Sequence, residues 1–253
     1  MYKTKMLNKE GSSKVLYNLR EDDAILKFTD RIKLQDGKII SILGKGSINN
    51  FISSLLMQKL QIISVDNHFV KKINMHEQLV KMADMLPMKV YVTGAACGKY
   101  VEEFGMEEGY VFDKAMIDFA LKSYREKTEE NKLSSINEYQ LVNLNCIDIE
   151  DLKAVQSLAF RVYHYLSGFF AAIGIRLLEC QLEFGKIFHE EEGDVLVLAD
   201  EISLDNCRML DIDTHERLGF DLLSDQDHSG KNYREVSRRL NYALNLTQTL
   251  ADK

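Results

Sequence analysis

Two apolar stretches, residues 175–187 and 194–202, constrain this fold more than any other part of the chain. Each has the length and aliphatic character of a strand, and the polar run His189-Glu190-Glu191-Glu192-Gly193 between them reads as a turn. Folded back as a hairpin, they bring Glu183 almost opposite Asp200. Like charges facing across a ladder are destabilising. Side chains alternate along a strand, so Glu179, Gln181 and Glu183 also share one face. Carboxylates stacked this way call for a cation between them. An oxygen-only ligand set without His or Cys points to Mg²⁺ or Ca²⁺ and away from zinc. Taken alone, the segment fits equally a solvated hairpin with acidic edges.

The flanking sequence places the hairpin in an α+β chain. Residues 14–19 and 24–28 read as strands, with Glu10-Gly11-Ser12-Ser13 as the turn before them and Asp36-Gly37 as a hairpin signal. Gly44-Lys45-Gly46-Ser47 opens a helix that carries Ile48, Phe51, Ile52, Leu55, Leu56 and Leu60 at helical spacing. Residues 69–73 and 77–82 suggest two more strands, and Pro87 precedes another at 88–92. Residues 95–104 suggest a short helix, and the charged stretch 122–137 a surface insertion or lid. Residues 148–173 form the clearest helix, with Leu152, Val155, Leu158, Ala159, Val162, Tyr163, Leu166 and Phe170 on one stripe. An amphipathic helix at 233–250 closes the chain. The pattern predicts two lobes dividing near residues 84–90: an antiparallel β lobe over 1–86 and an α+β lobe over 87–253.

A net charge of −7 argues against a nucleic-acid surface, though a local basic pocket for a phosphorylated small molecule is compatible with it. No apolar run approaches the ~18 residues that a membrane helix needs. Cys97, Cys146, Cys180 and Cys207 form no C-x-x-C pair, which predicts reduced thiols and a cytoplasmic location. His68, His76, His164, His189, His215 and His228 share no metal-binding spacing. Cys97 and Cys207 have no evident base partner, so neither reads as a nucleophile.

Four motifs then occur in a telling order: Gly44-Lys45-Gly46-Ser47-Ile48-Asn49-Asn50, Phe104-Gly105-Met106-Glu107-Glu108-Gly109, Gln181-Leu182-Glu183-Phe184-Gly185, and Asp200-Glu201-Ile202-Ser203 followed by Arg208. With them the chain resembles the SAICAR synthetase family over nearly its whole length. The resemblance implies a kinase-like antiparallel N-terminal sheet and an ATP-grasp-like C-terminal lobe, with the nucleotide between. It implies an ATP- and Mg²⁺-dependent ligase that joins an imidazole carboxylate to the amine of L-aspartate through an acyl phosphate. Glu183 and Asp200 match the family's metal-binding carboxylates, and Lys14 would neutralise phosphate charge. Gly11, Ser12, Ser13, Lys81 and Met85 would complete the nucleotide site. Lys45, Thr93, Lys99, Gln181 and Arg208 would face the carboxylate and amine substrates. Lys45 also lies at a helix start, where backbone N–H groups favour anions. Asn49 and Asn50 fit a bracing role better. The resemblance leaves a homodimer open and gives no role to nucleic acid or membrane.

The departures from the family pattern cluster. Glu10-Gly11-Ser12-Ser13-Lys14 keeps only the second of two expected lysines. Thr93-Gly94-Ala95-Ala96-Cys97-Gly98-Lys99 lacks an expected arginine and serine, Gln181 replaces a lysine, and Leu222 and Leu223 stand where arginine is expected. A planar guanidinium holds phosphate through a two-pronged contact that Thr or Leu cannot supply. The nucleotide half is largely kept and the phosphoribosyl half altered, which predicts a ligase with a changed carboxylate or amine. The orthodox purine-pathway reaction is the alternative, and a non-catalytic nucleotide-binding relative a second.

Overall fold

The computed structural model describes residues 6–20, 22–34, 37–122, 134–191, 193–219 and 229–251. Asp36, Leu222, Leu223 and most of the charged stretch, residues 123–133, lie outside them. The chain opens with β1 (Met6–Glu10), β2 (Lys14–Asn18), β3 (Asp23–Phe28), β4 (Arg31–Lys33) and β5 (Ile39–Ser41). Helix α1 (Lys45–Ile62) and strands β6 (Phe69–Lys72) and β7 (Glu77–Lys81) follow. An antiparallel sheet runs β1-β2-β3-β7-β6, and β4 and β5 pair separately as a short hairpin. Gly11 makes the first turn tight, its N–H donating to the Lys14 carbonyl at 2.9 Å. This points Lys14 and Leu16 to the same face of β2.

The second sheet is built from β8 (Asp84–Met85), β9 (Met88–Ala95), β10 (Val111–Leu121), β11 (Ser134–Ile136), β12 (Ile175–His189), β13 (Gly193–Ala199), β14 (Cys207–Asp211) and β15 (Arg217–Gly219). Between them lie α2 (Lys99–Glu102), α3 (Glu138–Asn143) and α4 (Ile149–Ala171), and α5 (Lys231–Ala251) comes last. The order is β11-β10-β9-β12-β14-β15. The 15-residue β12 is the spine: its first half pairs with β9 and β14, its second with β13 and β8.

Local chemistry explains most of the boundaries. Asp148 caps α4 by accepting from the Asp151 N–H at 2.8 Å, and Asn137 and Gln140 form a reciprocal cap on α3. The predicted helix at 95–104 shrinks to Lys99–Glu102 because β9 runs on to Ala95 and the chain then turns at Gly98, φ +49°. Strand β10 was not evident from sequence. Asp113 and Lys114 interrupt its apolar pattern, and its register against β9 shifts between Val111 and Met116. The stripe on α4 is buried as its spacing predicts. It joins one core with Ile52, Leu56 and Leu60 of α1, Val90 and Val92 of β9, and Val236 and Leu240 of α5. Helix α1 thus packs both on β3, β6 and β7 of the first sheet and on α5 of the second half. Among the described residues no helix is long and apolar enough to cross a membrane.

Helix α5 is tied to β14 by charge. Buried Asp211 accepts from the N–H groups of Thr214 at 2.8 Å and Asp213 at 2.9 Å, and from Arg239, which also bonds Glu235 at 2.8 Å. The Thr214 N–H is the largest influence holding the Asp211 carboxyl down at about 2, with Arg239 adding to it. A carboxyl lowered in the fold stabilises above its unfolded pKa, and that contribution is lost as pH falls through the folded value. Urea unfolding should show Asp211→Asn less stable than wild type by about 1–2 kcal/mol at pH 7, after allowance for screening, with the difference vanishing towards pH 2.

Candidate active site

A cavity of about 450 Å³ opens between the two sheets. Its apolar part is formed by Leu16, Leu26 and Val80 of the first sheet, Met85 of β8, and Met82 and Leu86 on either side of that strand. Its charged end holds Lys14, Lys122, Glu183 and Asp200. The hairpin forms as expected, with Glu183 opposite Ala199, one residue short of Asp200. At Asp200 the chain leaves β13 with φ +59°, a left-handed conformation uncommon outside glycine but tolerated by Asp.

Ammonium groups neutralise the facing carboxylates. Lys14 Nζ donates to Asp200 and, at 2.9 Å, to Glu201 Oε1. Lys122 Nζ donates to Glu183 Oε2 at 2.5 Å, and Lys89 Nζ lies 3.7 Å from Glu183 Oε1. Burial opposes charge on Lys14, but Asp200, Glu201 and Glu183 outweigh it and raise its pKa. Burial likewise opposes charge on Asp200, and Lys14 outweighs it and lowers that carboxyl. Glu201 goes the other way. Burial is the main cause raising its carboxyl, with Asp205 and Asp200 adding to it, and its buried Oε2 has no hydrogen-bond partner among the described residues.

This donor set suits a hard divalent cation held jointly with a ligand. Among the described residues no three His, Cys, Asp or Glu side chains converge to hold a metal. Mg²⁺ does not require such a cage, because it binds one or two carboxylates and takes its other oxygens from phosphate and water. Glu183 and Asp200 supply two such carboxylates on one cavity wall. Three lysines already balance Glu183, Asp200 and Glu201, so an added divalent cation would offset the charge of an incoming polyphosphate.

A polar face extends from this cluster across β9, β12 and β14. Thr93 Oγ1 donates to Glu179 Oε2 at 2.9 Å, and Arg208 Nε lies 3.3 Å from Glu179 Oε1. Tyr91 OH donates to Gln181 Oε1 at 3.2 Å. Burial, then the Glu179 charge, pushes the Tyr91 hydroxyl up to about 12, so it remains a donor. Gly98 takes φ +49°, a conformation that residues other than glycine rarely adopt, and a Cβ there would lie 2.6 Å from Arg208 Nη1 and push that guanidinium aside. Lys99 pairs with Asp118 at 2.8 Å, and Tyr100 OH donates to the same carboxylate at 3.0 Å.

The structure therefore gathers Gly11, Lys14, Lys81, Met85, Glu183 and Asp200 around the cavity. Ser12 and Ser13 lie in the adjoining turn, where the Ser13 carbonyl is held by the Thr29 N–H at 2.9 Å. Thr93, Gln181 and Arg208 share the polar face, with Lys99 beside it. Lys45, expected at a substrate anion, is buried and bonded to Asp205 at 2.6 Å, and Asp205 also accepts from Tyr233 OH at 2.7 Å. The N–H groups at that helix start are taken as well: Gly44 and Gly46 donate to the Asp30 carboxylate at 3.1 and 2.9 Å. Asn50 braces α1 through the Asn74 carbonyl at 2.9 Å. Lys89, Tyr91, Glu179, Glu201 and Lys122 were missed as site residues. Alternation on β9 groups Lys89 with Tyr91 and Thr93, but that signal means something only once β9 is paired with β12.

An apolar slot ending in lysines and paired carboxylates, set between two antiparallel sheets, is the geometry of a site that handles a nucleotide polyphosphate. A protein-family model described as SAICAR synthetase matches residues 7–240. Phosphoribosylaminoimidazole-succinocarboxamide synthases of Rickettsia felis and Rickettsia akari are each 46% identical over 233 residues, covering 91% of this chain and 96% of theirs. The solved structure of the Ehrlichia chaffeensis phosphoribosylaminoimidazole-succinocarboxamide synthase superposes with a TM-score of 0.84 at 33% identity, covering 93% of this chain and 98% of that one. A SAICAR synthetase in complex with ADP superposes at 0.82 with 28% identity, covering 91% and 96%. The chain belongs to the SAICAR synthetase family, whose members are ATP-dependent carbon–nitrogen ligases.

Removing one partner of a buried ion pair leaves the other charge uncompensated and costs about 3–5 kcal/mol. Lys45→Met should lower unfolding stability by that order while leaving the KM for the carboxylate and amine substrates of the surviving folded protein unchanged. A raised substrate KM with wild-type stability would return Lys45 to the substrate.

Proposed function

We propose that this protein is an orthodox SAICAR synthase, condensing carboxyaminoimidazole ribotide with L-aspartate at the expense of ATP. The observation that carries this reading is the 46% identity to curated synthases over nearly the whole of both chains, together with a cavity that gathers Lys14, Glu183 and Asp200. The expectation of altered substrates finds less support. The changes at Ser12, Thr93, Lys99 and Gln181 sit within a chain that matches these synthases end to end, so they read best as variation inside the family. Arg208, held beside Glu179, keeps a guanidinium on the substrate face.

In this reading the apolar slot takes the adenine, and the polyphosphate points to the charged end. Lys14 and Lys122 transfer from their carboxylates to phosphate oxygens, and Glu183 and Asp200 are freed to hold Mg²⁺. When bound, the metal polarises the phosphoryl group and offsets its charge. A carboxylate oxygen of the imidazole substrate attacks the γ-phosphorus and ADP leaves. The aspartate amine then attacks the acyl carbon, loses a proton and expels phosphate. Tyr91, Thr93 and Gln181 line the face along which the carboxylate would be aligned, and Arg208 is the cation placed to hold its anionic substituent. Among the described residues the four cysteines form no disulfide, which suits the cytoplasmic location this pathway implies.

The test is direct. Purified protein with ATP, Mg²⁺, carboxyaminoimidazole ribotide and L-aspartate should yield the succinocarboxamide, followed by mass, at ordinary enzyme rates. ATP consumed only with a different carboxylate or amine would restore the altered-substrate reading. Asp200→Asn leaves Glu201 on Lys14 and should keep the fold, yet lower kcat by about 100-fold or more, as loss of several kcal/mol of charge stabilisation requires. Full activity in that variant would remove Asp200 from the metal site.

A further inference from the structure

Asp200 is held in its left-handed conformation by contacts from the other sheet, and His68 is at their centre. Its Nε2 lies 2.7 Å from the main-chain carbonyl oxygen of Asp200. A carbonyl only accepts, so Nε2 carries the proton and donates. The imidazole is buried. The segment carrying it is fixed on both sides. The His68 N–H donates to the Leu198 carbonyl at 3.0 Å and the Leu198 N–H to the Asp66 carbonyl at 2.9 Å, while the Lys81 N–H donates to the His68 carbonyl at 2.7 Å. Asn67 locks the same stretch, with Nδ2 on the Met57 carbonyl at 3.0 Å and Oδ1 accepting from the Phe69 N–H at 3.1 Å. Residues 66–68 thus clip the end of β7 in the first sheet to the end of β13 in the second, at the point where β13 delivers its carboxylate.

We infer that His68 is a positioning residue: by holding the Asp200 peptide at φ +59°, it aims that carboxylate into the cleft and sets the affinity of the site for the metal–nucleotide complex. The inference deepens the proposed function, since it rests on Asp200 as a metal ligand. Groups that orient a ligating side chain typically account for about 10–100-fold in metal affinity. Without the His68 donor, the Asp200 carbonyl loses the bond that fixes the rotation of its peptide, so the carboxylate is delivered over a range of directions. Lys14, which bonds both Asp200 and Glu201, can still neutralise the cluster, so the cavity and its apolar slot persist.

The experiment is calorimetric titration of ADP into the full-length protein with and without MgCl₂, giving the factor by which Mg²⁺ strengthens binding. His68 also lines the cavity, so the readout is the ratio of the two affinities: whatever His68→Leu does to ADP binding without metal, it should cut the Mg²⁺ factor by about 10-fold or more. His68→Gln, whose amide reaches a similar position, should recover most of it. A general loss of structure would weaken both titrations alike and would not be rescued by Gln. If His68→Leu does not fold, His68→Asn, which is polar but too short to reach the carbonyl, carries the same comparison against Gln. A Mg²⁺ factor unchanged in Leu or Asn overturns the inference, as does a wild type whose ADP binding ignores Mg²⁺. Failure of the ligation assay, with the Mg²⁺ factor present and sensitive to His68, would instead overturn the substrate assignment and leave the role of His68 standing.

Discussion

Lys14 reaches from β2 across the cleft to Asp200 and Glu201, and much of the site depends on that contact. It lets three carboxylates stand close together at the end of a hairpin where they would otherwise repel. It also spans the two sheets with a charge pair whose members have another use. An ammonium on a flexible stem can pass from carboxylate to phosphate with little rearrangement, and a carboxylate so released is ready for a hard cation. Lys122 and Glu183 repeat the arrangement in the same cavity. The same groups, exchanged between partners, can take up a metal and a polyphosphate together.

The rest of the molecule keeps these groups in register. The long strand β12 carries Glu179, Gln181 and Glu183 on one face because side chains alternate, and β9 sets Thr93 and Tyr91 against the first two with Lys89 near the third. Arg208 arrives from β14 on the far side of Glu179. Helix α1 has no part in this face. Its charged start is consumed internally by Asp30 and Asp205, which seat it in the common core with α4 and α5. The polar face carries fewer basic groups than the resemblance leads one to expect, yet the chain's whole-length likeness to curated synthases favours the usual reaction over a new one.

Much of this was readable before the structure, and the exceptions share a cause. The acidic hairpin, the helix at 149–171 and the order of strands in the first half follow from local pattern: apolar alternation, a clean 3.6-residue stripe, and turn residues at Gly11 and Gly193. Lys14, Glu183 and Asp200 could be singled out by their motifs. Lys89 and Lys122 could not, because each matters only through Glu183, which lies far along the chain from both. Lys45 misled for the same reason: its partner Asp205 is 160 positions away, and a lysine at a helix start looks ready for an anion until that carboxylate is in place. His68 lacks a metal-ligand partner in sequence because its bond is to a backbone carbonyl, which no side-chain spacing can reveal.

When ligand arrives, the carboxylates and lysines should exchange partners. A crystal structure of the protein with Mg²⁺ and a non-hydrolysable ATP analogue would show this exchange or its absence. The metal should lie between Glu183 and Asp200, with Lys14 and Lys122 moved onto phosphate oxygens. A metal held elsewhere, or Lys14 still bonded to Asp200 with nucleotide bound, would contradict it.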